Sequence, residues 1–102
     1  MHAIRDTNQL IAVGARLRAA REAIGCRQKA ICFALNIGIT TWNNWENGKR
    51  LPDPLVMARF QAKFRVSLDW IYAGDPSMLP YALAEKVLAL VDKRMSHDVV
   101  IK

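Results

Sequence analysis

The segment Gly38–Arg50 constrains the fold more than any other part of the chain. Its two tryptophans, Trp42 and Trp45, stand three positions apart, so a helix would turn both rings to the same face. Asn47-Gly48 would end that helix, since both residue types tolerate a positive φ. The spacing therefore predicts one short helix over 39–46, with its tryptophans toward a core.

The opposite face of this helix is polar and carries no charge. From it project Thr40, Thr41, Asn43 and Asn44, and the paired cations Lys49-Arg50 follow the end of the helix. Amides and hydroxyls can hydrogen-bond to base edges, while cations pair with phosphates. An uncharged polar face that ends in cations therefore favours contact with a nucleic acid.

Two helices are predicted before this segment. The first covers about Thr7–Ile24, where apolar residues recur at three- and four-residue steps and Gly25 provides a stop. The second covers about Gln28–Leu35. Asn36-Ile37-Gly38 then forms a tight turn, because Asn and Gly accept the left-handed conformation. Two short helices joined by such a turn make a helix-turn-helix.

The arginines of helix one differ in their predicted surroundings. Arg16 and Arg18 fall on its wet side, whereas Arg21 falls on the apolar stripe. A buried arginine needs an anion. The sequence therefore predicts an acidic partner for Arg21.

Three further helices are predicted after Arg50. The two prolines in Leu51–Pro54 would prevent a continuous helix through this segment, and Pro54 suits the first turn of helix four. Ser67 is a good N-cap for a fifth helix over 68–73, which Gly74 closes. A sixth helix spans Pro80–Met95, and the tail beyond it would add a small strand or fray.

The chain has the length of one domain. We divide it into a flexible arm (1–6), a helix-turn-helix domain (7–75) and a C-terminal helix with its tail (76–102). The sixth helix carries two overlapping apolar stripes, a sector wider than one packing face needs. Either this helix is sunk deeply in its own domain, or one stripe packs inward and the other meets a second subunit. We predict a dimer interface, formed by Leu83, Val87, Leu88, Leu90 and Val91.

The 102 residues carry a net charge of +6, and the positive excess lies in the first two-thirds of the chain. Up to Arg65 there are eleven basic and four acidic residues, a balance of +7, which leaves −1 for the remainder. Such asymmetry favours a polyanionic partner, nucleic acid rather than an anionic membrane surface. A solubilising charge excess is the alternative.

Other classes of function lack support in the sequence. Cys26 and Cys32 stand six apart with no nearby His, so we expect reduced, partly buried thiols and neither a zinc site nor a redox pair. His2 and His97 lie near the ends, and no carboxylate pair, nucleophile-base arrangement or glycine-rich phosphate loop appears. We expect no enzyme activity, metal or cofactor. No membrane span or secretory signal is apparent, so a cytoplasmic, nucleoid-associated protein is predicted.

Several short motifs are spaced along the chain in a specific way. They are Arg16-Leu17-Arg18 with Arg21-Glu22, then Gln28, then Trp45-Glu46-Asn47-Gly48-Lys49-Arg50 followed by Pro52, and last Ser67-Leu68-Asp69-Trp70-Ile71-Tyr72-Ala73-Gly74. In this combination the stretch Arg16–Gly74 resembles the lambda repressor/Cro-like (XRE) family of DNA-binding helix-turn-helix domains. The resemblance implies an all-α fold, a five-helix lambda repressor-like DNA-binding domain, here with an additional C-terminal helix.

The resemblance also implies that helix three lies in the major groove of double-stranded DNA. The implied base contacts are Ile39, Thr40, Asn43 and Asn44, and an asparagine can bond adenine bidentately. The implied phosphate contacts are Gln28, Asn47, Lys49 and Arg50. We also predict phosphate contacts from Arg27, which adds a cation where a phosphate would lie, and from Thr41. Arg21 and Glu46 resemble the family's interior ion pair, which would orient the reading helix. The alternatives are that Ile39 packs against helix two and that the polar residues are simply solvated.

The chain departs from the family at four positions. Arg27 replaces the usual Ser or Thr cap of helix two, and Gly38 replaces the capping hydroxyl before helix three. Both helix starts are therefore predicted to be weakly capped. Asn36 replaces the turn glycine, and Trp42 is larger than the usual aliphatic residue, so the helices would shift to house it.

The leading hypothesis is a sequence-specific, homodimeric bacterial or phage transcription regulator, most simply a repressor. It would read a near-palindromic operator through the helix Ile39–Glu46. The alternative is an antitoxin-type regulator, which holds a partner protein through its sixth helix and autoregulates through the helix-turn-helix. The segment from Pro76 onward discriminates between them: a clean homodimer favours the first, and a co-purifying partner protein favours the second.

Overall fold

The chain folds into several helices that pack against one another, and turn residues separate one helix from the next. The computed structural model describes the backbone of residues 2–101 and the side chains of residues 7–91. This described part contains no strand, and its elements are α1 (His2–Ile24), α2 (Gln28–Leu35), α3 (Ile39–Glu46), α4 (Pro54–Phe64), a π-helical turn (Asp69–Ala73) and α5 (Tyr81–Ile101). The predicted all-α fold, with a C-terminal helix added to the helix-turn-helix domain, is confirmed.

Three elements differ from their predicted extent or type. Helix α1 begins at His2 instead of Thr7, so its backbone takes in most of the segment 1–6 that was predicted as a separate arm. Helix α5 likewise continues past Met95 to Ile101. Neither glycine nor proline interrupts α5 or the beginning of α1, so nothing in the local sequence stops either helix. The predicted fifth helix is wound as a π-helix.

The ends of the short helices follow from their capping residues. Asn36 ends α2 in the left-handed conformation, with φ 57°. Neither Arg27 nor Gly38 makes a side-chain cap bond to the helix that follows it, as predicted. Helix α4 is better capped, because the Asp53 carboxylate accepts a bond of 3.1 Å from the Val56 N–H. The two helices of the helix-turn-helix are therefore held by packing more than by their own caps.

Trp42 lies at the centre of the core and is completely buried. Its ring centroid is 5.9 Å from that of Trp45 and 5.7 Å from that of Phe60, which it meets edge-on at 76°. Tilted and edge-on arrangements suit aromatic rings, because the edge of one ring is attracted to the face of the other. Trp42 therefore joins α3 to α4 through aromatic contacts.

Gly14 allows α1 to cross the end of α3 at very short range. A Cβ at this position would lie 2.5 Å from the Trp45 carbonyl oxygen and 2.6 Å from that of Glu46. Both neighbours are backbone atoms, which cannot rotate away as a side chain would. Only glycine fits at this crossing, which positions α3 against α1.

Arg16 lies at a helix junction, which corrects its predicted place on the wet side of α1. Its Nε donates to the Ile71 carbonyl at 3.1 Å, and its Nη2 donates to the Tyr72 carbonyl at 3.2 Å. In return the Trp70 indole N–H donates to the Arg16 carbonyl at 3.1 Å. Burial lowers the pKa of Arg16. The reason for the difference is that the π-helical turn packs against α1 and presents its terminal carbonyls to this guanidinium.

Helix α5 packs against α1, and this corrects part of the predicted dimer interface. Val87 is 0% exposed and Leu83, Leu90 and Val91 are half-buried against the core. Val87 is therefore covered by its own chain and is not available to a second subunit. Leu88, by contrast, is 41% exposed.

Candidate nucleic-acid interface

Helix α3 has one buried face and one exposed face. Trp42, Trp45 and Glu46 are buried, whereas Ile39 is 47% exposed. The polar residues predicted to project outward do so to different degrees: Thr40, Thr41 and Asn43 are exposed and Asn44 is half-buried. The residues predicted to contact bases thus share one accessible surface, with Ile39 at its beginning.

Exposed polar residues and cations lie at both ends of the helix-turn-helix. Arg27 is exposed just before α2, and Asn47, Lys49 and Arg50 are exposed just after α3. Gly48, which lies between Asn47 and Lys49, reverses the chain direction with a positive φ of 73°. The Lys49 N–H then donates to the Asn44 carbonyl of α3 at 2.9 Å. The polar face of α3 is therefore flanked by groups that can bind phosphates on either side of a groove.

Tyr72 fixes the loop that follows these cations. Its hydroxyl donates to the Pro52 carbonyl at 2.8 Å, which ties the loop to the π-helical turn. Burial and the nearby Asp53 carboxylate raise the pKa of Tyr72. The loop that carries Lys49 and Arg50 is consequently anchored at its far end to the body of the domain.

A buried ion pair joins α1 to the end of α3. Nε of Arg21 lies 2.6 Å from Oε2 of Glu46, and its Nη2 lies 3.2 Å from Oε1. The two side chains are 11% and 3% exposed. Burial disfavours the charge of Arg21, but the hydrogen bond and the charge of Glu46 outweigh it and raise the pKa of Arg21. Arg21 thus has the acidic partner that its place on the apolar stripe requires.

Two uncharged side chains, those of Trp42 and Gln28, also donate hydrogen bonds to the Glu46 carboxylate. The Trp42 indole N–H donates to Oε2 at 2.5 Å, and the Gln28 amide donates to Oε1 at 3.0 Å. With the two bonds from Arg21, the carboxylate accepts four hydrogen bonds from α1, α2 and α3. Neither of these two hydrogen bonds to Glu46 was predicted from the sequence. The four-residue spacing from Trp42 to Glu46 could have indicated the bond between them, because residues four apart on a helix are neighbours.

The side chain of Gln28 is engaged within the protein. Its Nε2 lies 3.0 Å from the Glu46 carboxylate and 3.2 Å from Oδ1 of Asn43. The predicted phosphate contact from this side chain would compete with these bonds. The Gln28 backbone N–H, in the first turn of α2, has no intrahelical acceptor and can donate to an anion there.

The two cysteines of the chain differ in their burial. Cys26 and Cys32 are free, the first half-buried and the second buried, and burial raises the pKa of the Cys32 thiol. The described residues contain no group of three or more His, Cys, Asp or Glu side chains that could hold a metal ion. Among the same residues no helix has the length and apolar character that crossing a bilayer requires.

The sequence of residues 12–72, more than half of the chain, matches the model of a protein family described as a helix-turn-helix domain. The chain is also 32% identical, over 65 residues, to the HTH-type transcriptional regulator ImmR of Bacillus subtilis (strain 168). That match covers 64% of this chain and 51% of the relative, so the chain spans about half the length of the protein it matches. No solved structure gave a significant match. With α2, its tight turn and α3 lying within the matched residues, the chain belongs to the XRE, or lambda repressor-like, helix-turn-helix family.

Proposed function

We propose that this chain is a sequence-specific regulator of transcription that binds double-stranded DNA, most simply a repressor that occludes a promoter. The observation that carries the proposal is the exposed, uncharged polar face of α3, which is flanked by exposed cations. On the opposite, buried face of α3 the Arg21–Glu46 ion pair joins this helix to α1. The similarity to a protein named as a transcriptional regulator supports it. Such a protein would act in the cytoplasm, at the nucleoid.

In this proposal α3 lies in the major groove. Ile39 would contact a thymine methyl group, and Thr40, Asn43 and Asn44 would hydrogen-bond to base edges. Arg27, the amino end of α2 and the segment after α3 would bind phosphates, with Thr41 contributing a hydroxyl. The base contacts would supply specificity, and the phosphate contacts would set the register.

We further propose that the functional unit is a homodimer. Two copies would read half-sites about 10 bp apart, so the operator would be a near-palindrome. The exposed Leu88 and the half-buried Leu83, Leu90 and Val91 of α5 offer apolar surface for the second copy, whereas Val87 serves the core of its own chain.

Selection of bound sites from random duplex DNA tests this function. We expect the parent protein to enrich one half-site, repeated as an inverted pair. Asn44→Ala should change the selected sequence, whereas Lys49→Ala should weaken binding to all sequences alike and reduce its salt dependence. Recovery of no enriched sequence, or binding that does not weaken as salt rises, would contradict the proposal.

A second candidate is an antitoxin-type regulator that holds a partner protein near α5. The observation that favours it is the group of exposed apolar side chains around the beginning of that helix: Met78 is 70% exposed and Tyr81 is 79% exposed. Light scattering on the purified chain and co-purification with an untagged neighbouring gene product distinguish the two candidates. A clean homodimer supports the first, and a stoichiometric complex with another protein supports the second.

A further inference from the structure

The beginning of α5 carries an exposed aromatic ring beside a groove. Tyr81 is the first residue of α5, and its side chain is 79% exposed. A groove of about 420 Å³, large enough for an aromatic ring, lies between the end of α4 and the segment before α5. The residues that line it are Gln61, Arg65, Ser67, Met78, Leu79 and Pro80. A projecting ring and a groove that can take such a ring therefore lie side by side on one surface.

The ring and the groove carry opposite charges. The Tyr81 hydroxyl donates to Oε2 of Glu85, one turn further along α5, at 3.1 Å. Arg65 lines the groove, and both Arg65 and Glu85 are exposed. Neither forms an ion pair with any side chain that the structure describes. The surface thus presents an aromatic ring with an anion beside a groove with a cation.

Such a surface is complementary to itself. In a two-fold dimer, residue i of one copy contacts residue j of the other, and j contacts i in return. A ring beside a groove can therefore enter the groove of a second copy while its own groove receives the second ring. The exposed apolar face continues along α5, because Leu88 lies seven positions after Tyr81, on the same side of the helix two turns away.

We propose that the second copy of this chain binds at this surface, an inference that rests on the homodimer proposed above. Tyr81 of each copy enters the groove of the other copy. Glu85, which accompanies the ring, then pairs with the partner's Arg65, and the same ion pair forms on the other side of the two-fold axis. Met78 and Leu88 supply apolar contacts around the two rings. Opposite charges on the ring and groove sides favour a second copy over an unrelated partner protein.

The contact is small, so the dimer is weak in solution. The two rings bury about 300 to 500 Å² together, well below the roughly 1,200 Å² at the lower limit of stable interfaces. We therefore expect reversible association of the free chain in the micromolar range. Duplex DNA that carries two half-sites should hold the second copy more tightly, because it binds both copies at once.

Sedimentation equilibrium of the full chain without DNA tests the role of the ring. We expect a reversible monomer–dimer equilibrium for the parent. Tyr81→Ser should weaken dimerisation about tenfold or more, because each dimer loses two anchoring rings. Tyr81→Phe keeps the ring and should stay within about threefold of the parent. Leu55→Ser is the matched control, since it removes an equally exposed apolar side chain from α4 outside the groove and should leave dimerisation unchanged.

An exchange of charges tests the proposed ion pair. Arg65→Glu and Glu85→Arg each place like charges against each other, so each should weaken dimerisation about fivefold or more. The double variant restores opposite charges between the copies and should return to within about threefold of the parent. All of these side chains are exposed, so every variant should melt like the parent when it is diluted to monomer.

The proposal is overturned if the parent stays monomeric throughout the micromolar range, or binds another protein through Tyr81 instead of a second copy. It is also overturned if folded Tyr81→Ser dimerises like the parent, or if the double charge variant is no stronger than its two single variants. Failure of the DNA-binding function looks different. In site selection from random duplex DNA, Tyr81→Ser should still enrich the half-site but without its inverted repeat, whereas a chain that does not read DNA enriches no sequence even as the parent.

Discussion

Nε1 of Trp42 lies 2.5 Å from Oε2 of Glu46, one turn further along the same helix. The bond lies on the buried face of α3, where Glu46 also meets Arg21 from α1. A tryptophan in the middle of an aromatic core thus supplies a polar contact to the residue that orients the helix. The orientation of α3 therefore depends on Trp42 through both its ring contacts and its N–H group.

The first prediction concerns this N–H group. Trp42→Phe removes the donor and part of the ring, so we expect the free energy of unfolding to fall by about 2 to 4 kcal/mol. Trp45→Phe is the matched control, since its ring is equally part of the core but is not among the four donors to Glu46. Urea denaturation measures both, and equal losses would contradict a specific role for the Trp42 bond.

The second prediction concerns the ion pair itself. Glu46→Ala leaves the buried Arg21 without its anion, which should cost about 3 to 5 kcal/mol and weaken DNA binding because α3 loses its anchor. Glu46→Gln keeps an acceptor for the Trp42 N–H and should lose less. Thermal denaturation and a DNA-binding titration measure the two effects. The prediction fails if Glu46→Ala melts and binds DNA like the parent.

The third prediction concerns the crossing of α1 and α3. Gly14→Ala places a Cβ within 2.6 Å of two backbone carbonyl oxygens, so α1 must move away from α3. We expect a loss of about 1 to 3 kcal/mol in the free energy of unfolding. Gly38→Ala is the control, because a Cβ there meets no atom within 4 Å. It should lose less than about 1 kcal/mol, mainly through its poorer capping. Similar losses in the two variants would show that close packing at Gly14 is not the cause.

The fourth prediction separates stability from binding. Arg27→Ser gives α2 a side-chain cap that it lacks, so the free energy of unfolding should rise by about 0.5 to 1 kcal/mol. The same change removes one cation per copy from the proposed phosphate contacts, so DNA binding should weaken. The slope of log affinity against log salt should become shallower by about 0.9 for each copy bound, or about 1.8 for a dimer. Lys63→Ala, which removes an exposed cation from α4 outside the proposed interface, should leave that slope unchanged. A variant of Arg27 that binds as tightly as the parent would contradict its role.

The fifth prediction concerns pH. The pKa of Tyr72 is raised in the folded protein, so its neutral hydroxyl is favoured there relative to the unfolded chain. This stabilisation is complete below the unfolded pKa, about 10, and is lost as pH rises through the higher folded pKa. The melting temperature of Tyr72→Phe should therefore fall less steeply than that of the parent as the pH rises above about 10. Tyr81→Phe changes an exposed tyrosine and should follow the parent. Melting temperatures of the three proteins between pH 8 and pH 11 or so measure the difference.

Local signals in the sequence were enough to predict the helix-turn-helix itself. The bounds of α2 and α3 follow from Asn36, Gly38 and Asn47-Gly48, because these residues end or begin helices through their own backbone preferences. The division of α3 into a tryptophan face and a polar face follows from helical periodicity alone. The weak capping of α2 and α3 was also predictable, since a cap is a property of a single residue.

Only the tertiary structure decided where the remaining side chains lie. Arg16 meets the end of the π-helical turn, Val87 is buried against α1, and Gln28 joins Glu46 to Asn43. Each of these contacts depends on how closely two helices approach and at which point they cross. Those quantities come from packing between residues far apart in the chain, such as Gly14 against the end of α3, and a periodic pattern within one helix carries no information about them.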